Sequence, residues 1–144
     1  MRQIKFRAFV KNLKWMVPVE MIDFKYQTAE VDLSYGNGDT SEYEFDEIEL
    51  MQFTGLYDSG GTLIYEGDIV KMHYFSEEFA SDLGVLEKDN TITGDIQYRQ
   101  DFATYVVNTK DQDYTISEYC QEPSEELEVI GNIYEHPHLL QDKA

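Results

Sequence analysis

Leu50-Met51-Gln52-Phe53-Thr54-Gly55-Leu56-Tyr57-Asp58-Ser59-Gly60-Gly61-Thr62-Leu63-Ile64-Tyr65-Glu66-Gly67-Asp68-Ile69-Val70 is the stretch whose reading decides the fold. Residues 51–56 and 63–65 are short runs of apolar and aromatic side chains, and Ile69-Val70 opens a third. Asp58-Ser59-Gly60-Gly61 separates the first two runs and Glu66-Gly67-Asp68 the last two, each a turn signal at strand spacing. Gly55, Gly60 and Gly61 offer the backbone freedom that such turns demand. The direct reading of Thr54, Gly55, Tyr65, Glu66, Gly67 and Asp68 is therefore structural: these residues build the strands and their turns. The alternative is that Glu66 and Asp68 line a ligand site, for which the sequence names no ligand.

The same alternation extends in both directions. Ile4-Lys5-Phe6-Arg7-Ala8-Phe9 alternates apolar and basic residues, as a half-buried strand does. Trp15-Met16-Val17 runs into Pro18, which removes a ladder donor and so predicts a strand end or an edge. Residues 29–35 form a strand, Gly36-Asn37-Gly38-Asp39 a turn, and residues 43–50 a return strand whose phase slips near Glu47. After residues 69–75 comes the one predicted helix, 77–83, with Ser76 as cap, Glu77 and Glu78 at its positive end and Gly84 as its stop. Beyond Lys88-Asp89-Asn90 lie strand-like runs at 91–100, 103–109 and 114–120, then a loop at 122–126. Residues 128–134 make a final strand and 136–140 a short helical tail. The expected fold is mainly β (β-rich α+β): a small SH3-like or related β-barrel with one short helix and an N-terminal β extension. As one domain over 1–144, it would hold N-terminal β hairpins in 1–50 and a barrel-like core in 51–140.

Charge narrows the function classes. The 144 residues carry 11 Lys plus Arg against 29 Asp plus Glu, a net charge of −18, which repels nucleic-acid phosphate and anionic membranes. The balance is uneven: residues 1–26 hold six basic and two acidic residues, net +4, and residues 27–144 hold five and twenty-seven, net −22. Two readings follow. The basic strands neutralise part of the acidic body within one fold, or one subunit's basic end docks on another's acidic body. Hydrophobic residues at 42% and aromatics at 14% suffice for a core and separate the chain from a disordered acidic tail. Cys120 has no second cysteine to pair with, no apolar run spans a bilayer, and Met1–Arg7 lacks the apolar segment of a signal peptide. A reducing cytoplasm is the expected location.

No constellation points to catalysis. His136 and His138 flank Pro137 near Glu135 and Asp142 and are suitable metal ligands, but a solvated tail is the better reading. His73 sits among Met72, Tyr74 and Phe75 and is expected partly buried in a strand. Cys120 lacks a cationic or histidine neighbour to activate it. Asp39, Asp46 and Asp58 do not follow EF-hand spacing, and no phosphate-binding, dinucleotide or nucleophile-elbow motif occurs. No cofactor and no bound metal are expected. Phe102, Tyr98 and Tyr105 offer stacking faces for bases, but without a basic groove around them.

The 50–70 stretch and residues 128–135, Glu-Val-Ile-Gly-Asn-Ile-Tyr-Glu, followed by Pro137 and Leu139-Leu140, resemble the core and closing motifs of YopX-like phage and prophage proteins. Ile4-Lys5-Phe6-Arg7-Ala8 is similar to that family's N-terminus, so the resemblance is essentially full length. It adds Gly131 and Asn132 to the motif residues named above. It implies a mainly β, non-secreted protein made in the bacterial host cytoplasm, with no defined catalytic residues. The expectation is a non-enzymatic accessory protein, a structural or protein-interaction module with a protein partner or a second copy of itself, binding neither nucleic acid nor membrane. Ile4, Phe6 and Phe9, or Tyr105, Val106 and Val107, would supply an exposed apolar edge as its interface. Two alternatives stay open: an acidic DNA mimic that inhibits a host nucleic-acid-binding protein, and a small-molecule enzyme.

Overall fold

The computed structural model describes residues 3–34, 36–80, 84–116 and 126–140, and the chain is mainly β, in two antiparallel sheets. It divides into two compact units, Met1–Gly55 and Leu56–Ala144.

The first unit contains β1 (Phe6–Val10), β2 (Trp15–Asp23), β3 (Thr28–Asp32), β4 (Thr40–Glu44) and most of β5 (Ile48–Tyr57), hydrogen-bonded in the order β4-β3-β2-β1-β5. Alternation decides which faces are buried: Ala8 and Val10 of β1, Val17 of β2, Ala29 and Val31 of β3 and Ile48 of β5 form one core. The connection from β4 to β5 is a single 3-10 turn, Phe45–Glu47. That link reaches at most roughly 15 Å, whereas four strand spacings in a flat sheet span about 19 Å, so this sheet is curled. Both ends of the turn are tied down, with Phe45 N donating to Gln27 O (2.9 Å) and Lys11 N to Glu47 O (3.1 Å). The phase slip expected near Glu47 is this turn. Pro18 is the first correction: it lies within β2, an interior strand, opposite Arg7 of β1. On the other side of β2 the ladder to β3 starts only at Val19↔Val31, and its register shifts before Met21. The missing donor is thus accommodated beside a ladder end.

The second unit holds β6 (Leu63–Tyr65) and a five-stranded sheet in the order β10-β9-β8-β7-β11. Its strands are β7 (Asp68–Ala80), β8 (Gly84–Arg99), β9 (Thr104–Asn108), β10 (Asp113–Thr115) and β11 (Leu127–Asn132). Ile64, Val70, Met72, Ile96, Val107, Ile116 and Leu127 make its core. The helix expected over 77–83 does not form across Glu77–Ala80, which continue β7; residues 81–83 lie outside the described residues. Capping signals are local, and one or two helical turns are marginal without tertiary support. The ladder from Ile69↔Asp95 to Ala80↔Gly84 gives Glu77–Ala80 a backbone partner at every residue. The separator expected at Lys88–Asn90 likewise lies inside β8. The strand expected over 114–120 appears as β10, residues 117–125 being outside the described set, and the tail forms a 3-10 turn, Pro137–Leu140.

Neither proposed apolar edge is an edge. β1 lies between β2 and β5, and β9 between β8 and β10. Val106 and Val107 are fully buried, Phe6 and Phe9 are half-buried, and only Ile4 of these is exposed. The most exposed large apolar side chains lie instead at turns, Phe24 (75% exposed) and Tyr26 (69%) after β2 and Phe102 before β9. Among the described residues, no helix is long and apolar enough to cross a membrane.

Candidate functional site

The middle and closing motifs meet in the second unit. β11 pairs with the start of β7, setting Asn132 opposite Asp68 and Gly131 opposite Ile69. Gly67, in the turn between β6 and β7, donates its N–H to Ile96 O (2.9 Å) and accepts from Ile133 N (2.9 Å). Gly67 thereby joins β8 to the closing motif. Buried Asp68 closes its own turn by accepting from Tyr65 N (2.8 Å). Glu66 lies in the same turn, half-buried.

Asn132 organises the chain that follows. Its Oδ1 accepts from Tyr134 N (3.1 Å) and Glu135 N (2.9 Å), and its Nδ2 donates to Glu135 Oε1 (2.9 Å). Its backbone N–H donates to His136 Nδ1 (3.2 Å), and His136 N returns a bond to Asn132 O (2.9 Å). Gly131 is required by close approach: a Cβ there would lie 2.9 Å from the His136 ring and from Leu139 Cδ1. Of the remaining motif residues, Thr54 is buried in β5 and Gly55 follows it, both in the first unit.

Sequence reasoning assigned no role to a buried, well-connected carboxylate, Asp58. It is 5% exposed, and its Oδ1 accepts from Gly60 N (2.9 Å) and Thr62 N (2.8 Å) while Oδ2 accepts from Val129 N (3.0 Å). Burial is the largest single influence and pushes its carboxyl up, but the N–H donors of Val129, Thr62 and Gly60 and the Thr62 hydroxyl together outweigh it and hold the pKa below the ordinary value. Ser59 N adds a bond to Leu127 O (2.9 Å), so this turn fastens β11. The signal was present in Asp-Ser-Gly-Gly, since aspartate at the head of a turn bonds backbone N–H groups two and more residues on.

A cavity among the described residues of this unit is lined elsewhere. About 370 Å³ opens beside β8 and the β9–β10 turn, where Asp95 lies at 7% exposure. The turn is held by Thr109 N to Gln112 O (3.0 Å) and by a bidentate pair, Arg99 Nε to Asp113 Oδ2 (2.7 Å) and Nη2 to Oδ1 (3.1 Å). Asn108 Nδ2 also donates to Asp113 Oδ1 (2.7 Å). The Arg99 hydrogen bond is the main reason the Asp113 carboxyl is held low and the Arg99 guanidinium is raised.

The other candidates resolve as follows. His73 is exposed, a correction to the expected partial burial, and its Nδ1 lies 3.0 Å from Thr91 Oγ1. His136 and His138 stack edge to face at 6.2 Å, with His136 Nδ1 engaged by Asn132; Cys120 and Asp142 lie outside the described residues. Tyr98 and Tyr105 pack against each other at 5.2 Å, and Phe102 is exposed. Glu44, Asp46 and Glu47 bring carboxylate oxygens within 4.8 Å of one another; all are exposed, and Glu47 Oε1 accepts from Glu44 N (2.9 Å) at the 3-10 turn.

With this geometry in hand, comparison with known proteins is direct. The family model described as YopX protein matches residues 5–141. The chain belongs to the YopX family. That match spans both units, including the Asp58 turn and the paired motifs at Gly67 and Asn132. No curated protein matches the chain. Among solved structures, the crystal structure of protein EF1440 from Enterococcus faecalis is similar with a TM-score of 0.60 and 24% identity, covering 98% of this chain and 100% of that one. At that identity the likeness concerns the fold.

Proposed function

We propose that this YopX-family chain is a non-enzymatic phage or prophage accessory protein of the host cytoplasm, a protein-interaction module that associates with a second copy of itself. The carrying observation is the turn after β2, where Phe24-Lys25-Tyr26 presents two exposed aromatic side chains around a lysine. Lys25 Nζ lies 5.3 Å from the Tyr26 ring centre. A second copy suits this turn because the basic stretch that holds it, residues 1–26 at net +4, complements the acidic residues 27–144 of a partner copy at net −22, and aromatic anchors supply most interface energy. Hydrogen bonds within the turns around Asp58, Asp68 and Asn132 favour a structural use of these motif groups. The curled β4-β3-β2-β1-β5 order with its 3-10 link also supports a small SH3-like or related barrel, in residues 6–57 rather than in 51–140. Light scattering from micromolar to millimolar protein tests the association. The expected result is a concentration-dependent dimer that Phe24→Ser with Tyr26→Ser returns to monomer; a strict monomer throughout overturns it.

The acidic-mimic reading has one observation in its favour. Glu30 of β3 and Glu42 of β4 are cross-strand partners, and with Asp23 they line a shallow cavity of about 190 Å³. Like charges directly opposite destabilise a sheet, a cost that a basic partner would relieve. Glu42→Lys is expected to stabilise the free protein by about 0.5 kcal/mol in urea unfolding. On the mimic reading it also weakens retention on an immobilised basic nucleic-acid-binding domain; unchanged retention counts against mimicry.

A further inference from the structure

The cavity beside β8 lies where a ladder stops. β9 pairs with β8 only from Arg99↔Thr104 to Asp95↔Asn108, while β8 itself continues back to Gly84. The space past that last pair is bounded by Ile92 and Asp95 of β8, Lys110 and Asp111 of the β9–β10 turn, Tyr114 of β10 and Leu140 of the C-terminal 3-10 turn. Its lining therefore combines hydrocarbon and an aromatic ring with two carboxylates, one ammonium and the neutral polar side chains of Thr93, Asn108 and Thr109.

Asp95 gives the space its chemistry. A carboxylate so far withdrawn from water needs donors or a counter-charge. Gln97 Nε2 donates to Oδ2 at 2.8 Å, a neutral donor that leaves acceptor capacity on the carboxylate. The strand's own cation, Arg99, directs its Nε and Nη2 hydrogen bonds to Asp113. The hydrogen-bonded turn from Thr109 to Gln112 fixes one wall of the cavity before any ligand arrives. An anion is disfavoured by two carboxylates in a chain of net charge −18. A bare divalent ion would want a shell of about six oxygens, and Ile92, Leu140 and the Lys110 ammonium occupy lining that offers none, whereas an alkylammonium uses both the carboxylates and the hydrocarbon.

We propose that this cavity binds an aliphatic ammonium group, with Asp95 as counter-ion, Asp111 as a second carboxylate at the rim, and Ile92, Tyr114 and Leu140 covering the alkyl chain. Two sources share that chemistry, a free alkylamine and the lysine side chain of an extended peptide, for which the end of the β8–β9 ladder is a suitable neighbour. The site is built entirely from residues of the second unit, and the proposal does not depend on self-association.

The test is a titration of the full chain by amide-resolved NMR at physiological ionic strength, with n-butylammonium, n-butanol and acetyl-Ala-Lys-Ala-amide as probes. Saturable shifts are expected at Ile92–Asp95 and Asn108–Asp111 with the ammonium and not with the alcohol. Asp95→Asn keeps an acceptor for Gln97 and is expected to weaken binding about tenfold, the effect of losing one charge-assisted hydrogen bond. Asp111→Lys, in an exposed turn, is expected to abolish it and serves as the independent variant if Asp95→Asn perturbs the fold. Tighter binding of the peptide than of butylammonium assigns the site to a protein partner, and equal binding assigns it to a free amine. Equal response to butanol, shifts spread over the acidic surface, or unchanged affinity in Asp111→Lys overturns the proposal.

Discussion

Gly94→Ala is expected to cost the second unit about 3 kcal/mol, the upper end of what overpacking does to a well-packed site. A Cβ at position 94 would collide with Asn108 O and stand 2.9 Å from both Asn108 C and Val107 Cγ1. Two of those three atoms are backbone, so no rotamer change relieves the collision. β9 would have to move away from β8 just where Asp95↔Asn108 and Ile96↔Val107 are paired. Ile96 and Val107 both belong to the core, so the shift would open that core as well. The usual benefit of replacing glycine, a less flexible unfolded chain worth about 0.4–1 kcal/mol, is too small to offset this. Gly60→Ala is the matched control: its Cβ would meet only Asp58 Oδ1 at an ordinary 3.6 Å, and a change within about 0.5 kcal/mol is expected. The readout must separate the units. Fluorescence of the single tryptophan, Trp15, reports the first, and amide exchange at Ile96 and Val107 reports the second. Exchange in Gly94→Ala within about 1 kcal/mol of the parent would sink the close-approach argument.

The contrast between Gly94 and the 50–70 stretch explains what the sequence made legible. Strands announce themselves through alternation and glycine turns, both written within ten residues, so the segments around Phe6–Val10, Leu63–Tyr65 and Leu127–Asn132 were readable. Sheet order is a relation between distant segments. Nothing local in Ile48-Glu49-Leu50 says that it pairs with Ala8–Val10, and so nothing revealed that the 3-10 turn at Phe45–Glu47 links β4 to β5 within a curled sheet. The misread helix has the same origin: Ser76, Glu77, Glu78 and Gly84 were judged by their neighbours in sequence, and their partners on β8 decided the outcome. At the candidate sites, Gly131 and Asn132 were visible as motif residues, whereas Asp95 was hidden. In a chain with 29 acidic residues no single carboxylate stands out until burial and a cavity single it out.

Asp58→Ala is expected to destabilise the second unit by about 3 kcal/mol at neutral pH, because the N–H groups of Gly60, Thr62 and Val129 all lose their acceptor, at about 1 kcal/mol each. Asp58→Asn isolates the charge, since an amide retains one oxygen for these donors but cannot serve all of them as an ionised carboxylate does. The pH dependence has a definite sign. The folded-state pKa lies below the ordinary 3.8, so the unfolded chain binds the proton more readily and acid favours unfolding. The stabilisation from Asp58 is therefore complete above the ordinary carboxylate range and disappears as pH falls through the lowered folded-state value. The stability gap between parent and Asp58→Asn should stay level from neutral pH down to about 5, then narrow from about pH 4 downward. The other carboxylates are common to both proteins and cancel to first order in the difference. Urea unfolding of both proteins, followed by amide exchange at Val129, measures the gap at each pH. A gap that stays constant into acid would mean that the ionised carboxylate is not what holds Val129, and that β11 is fastened by the Ser59–Leu127 bond and its ladder to β7 instead.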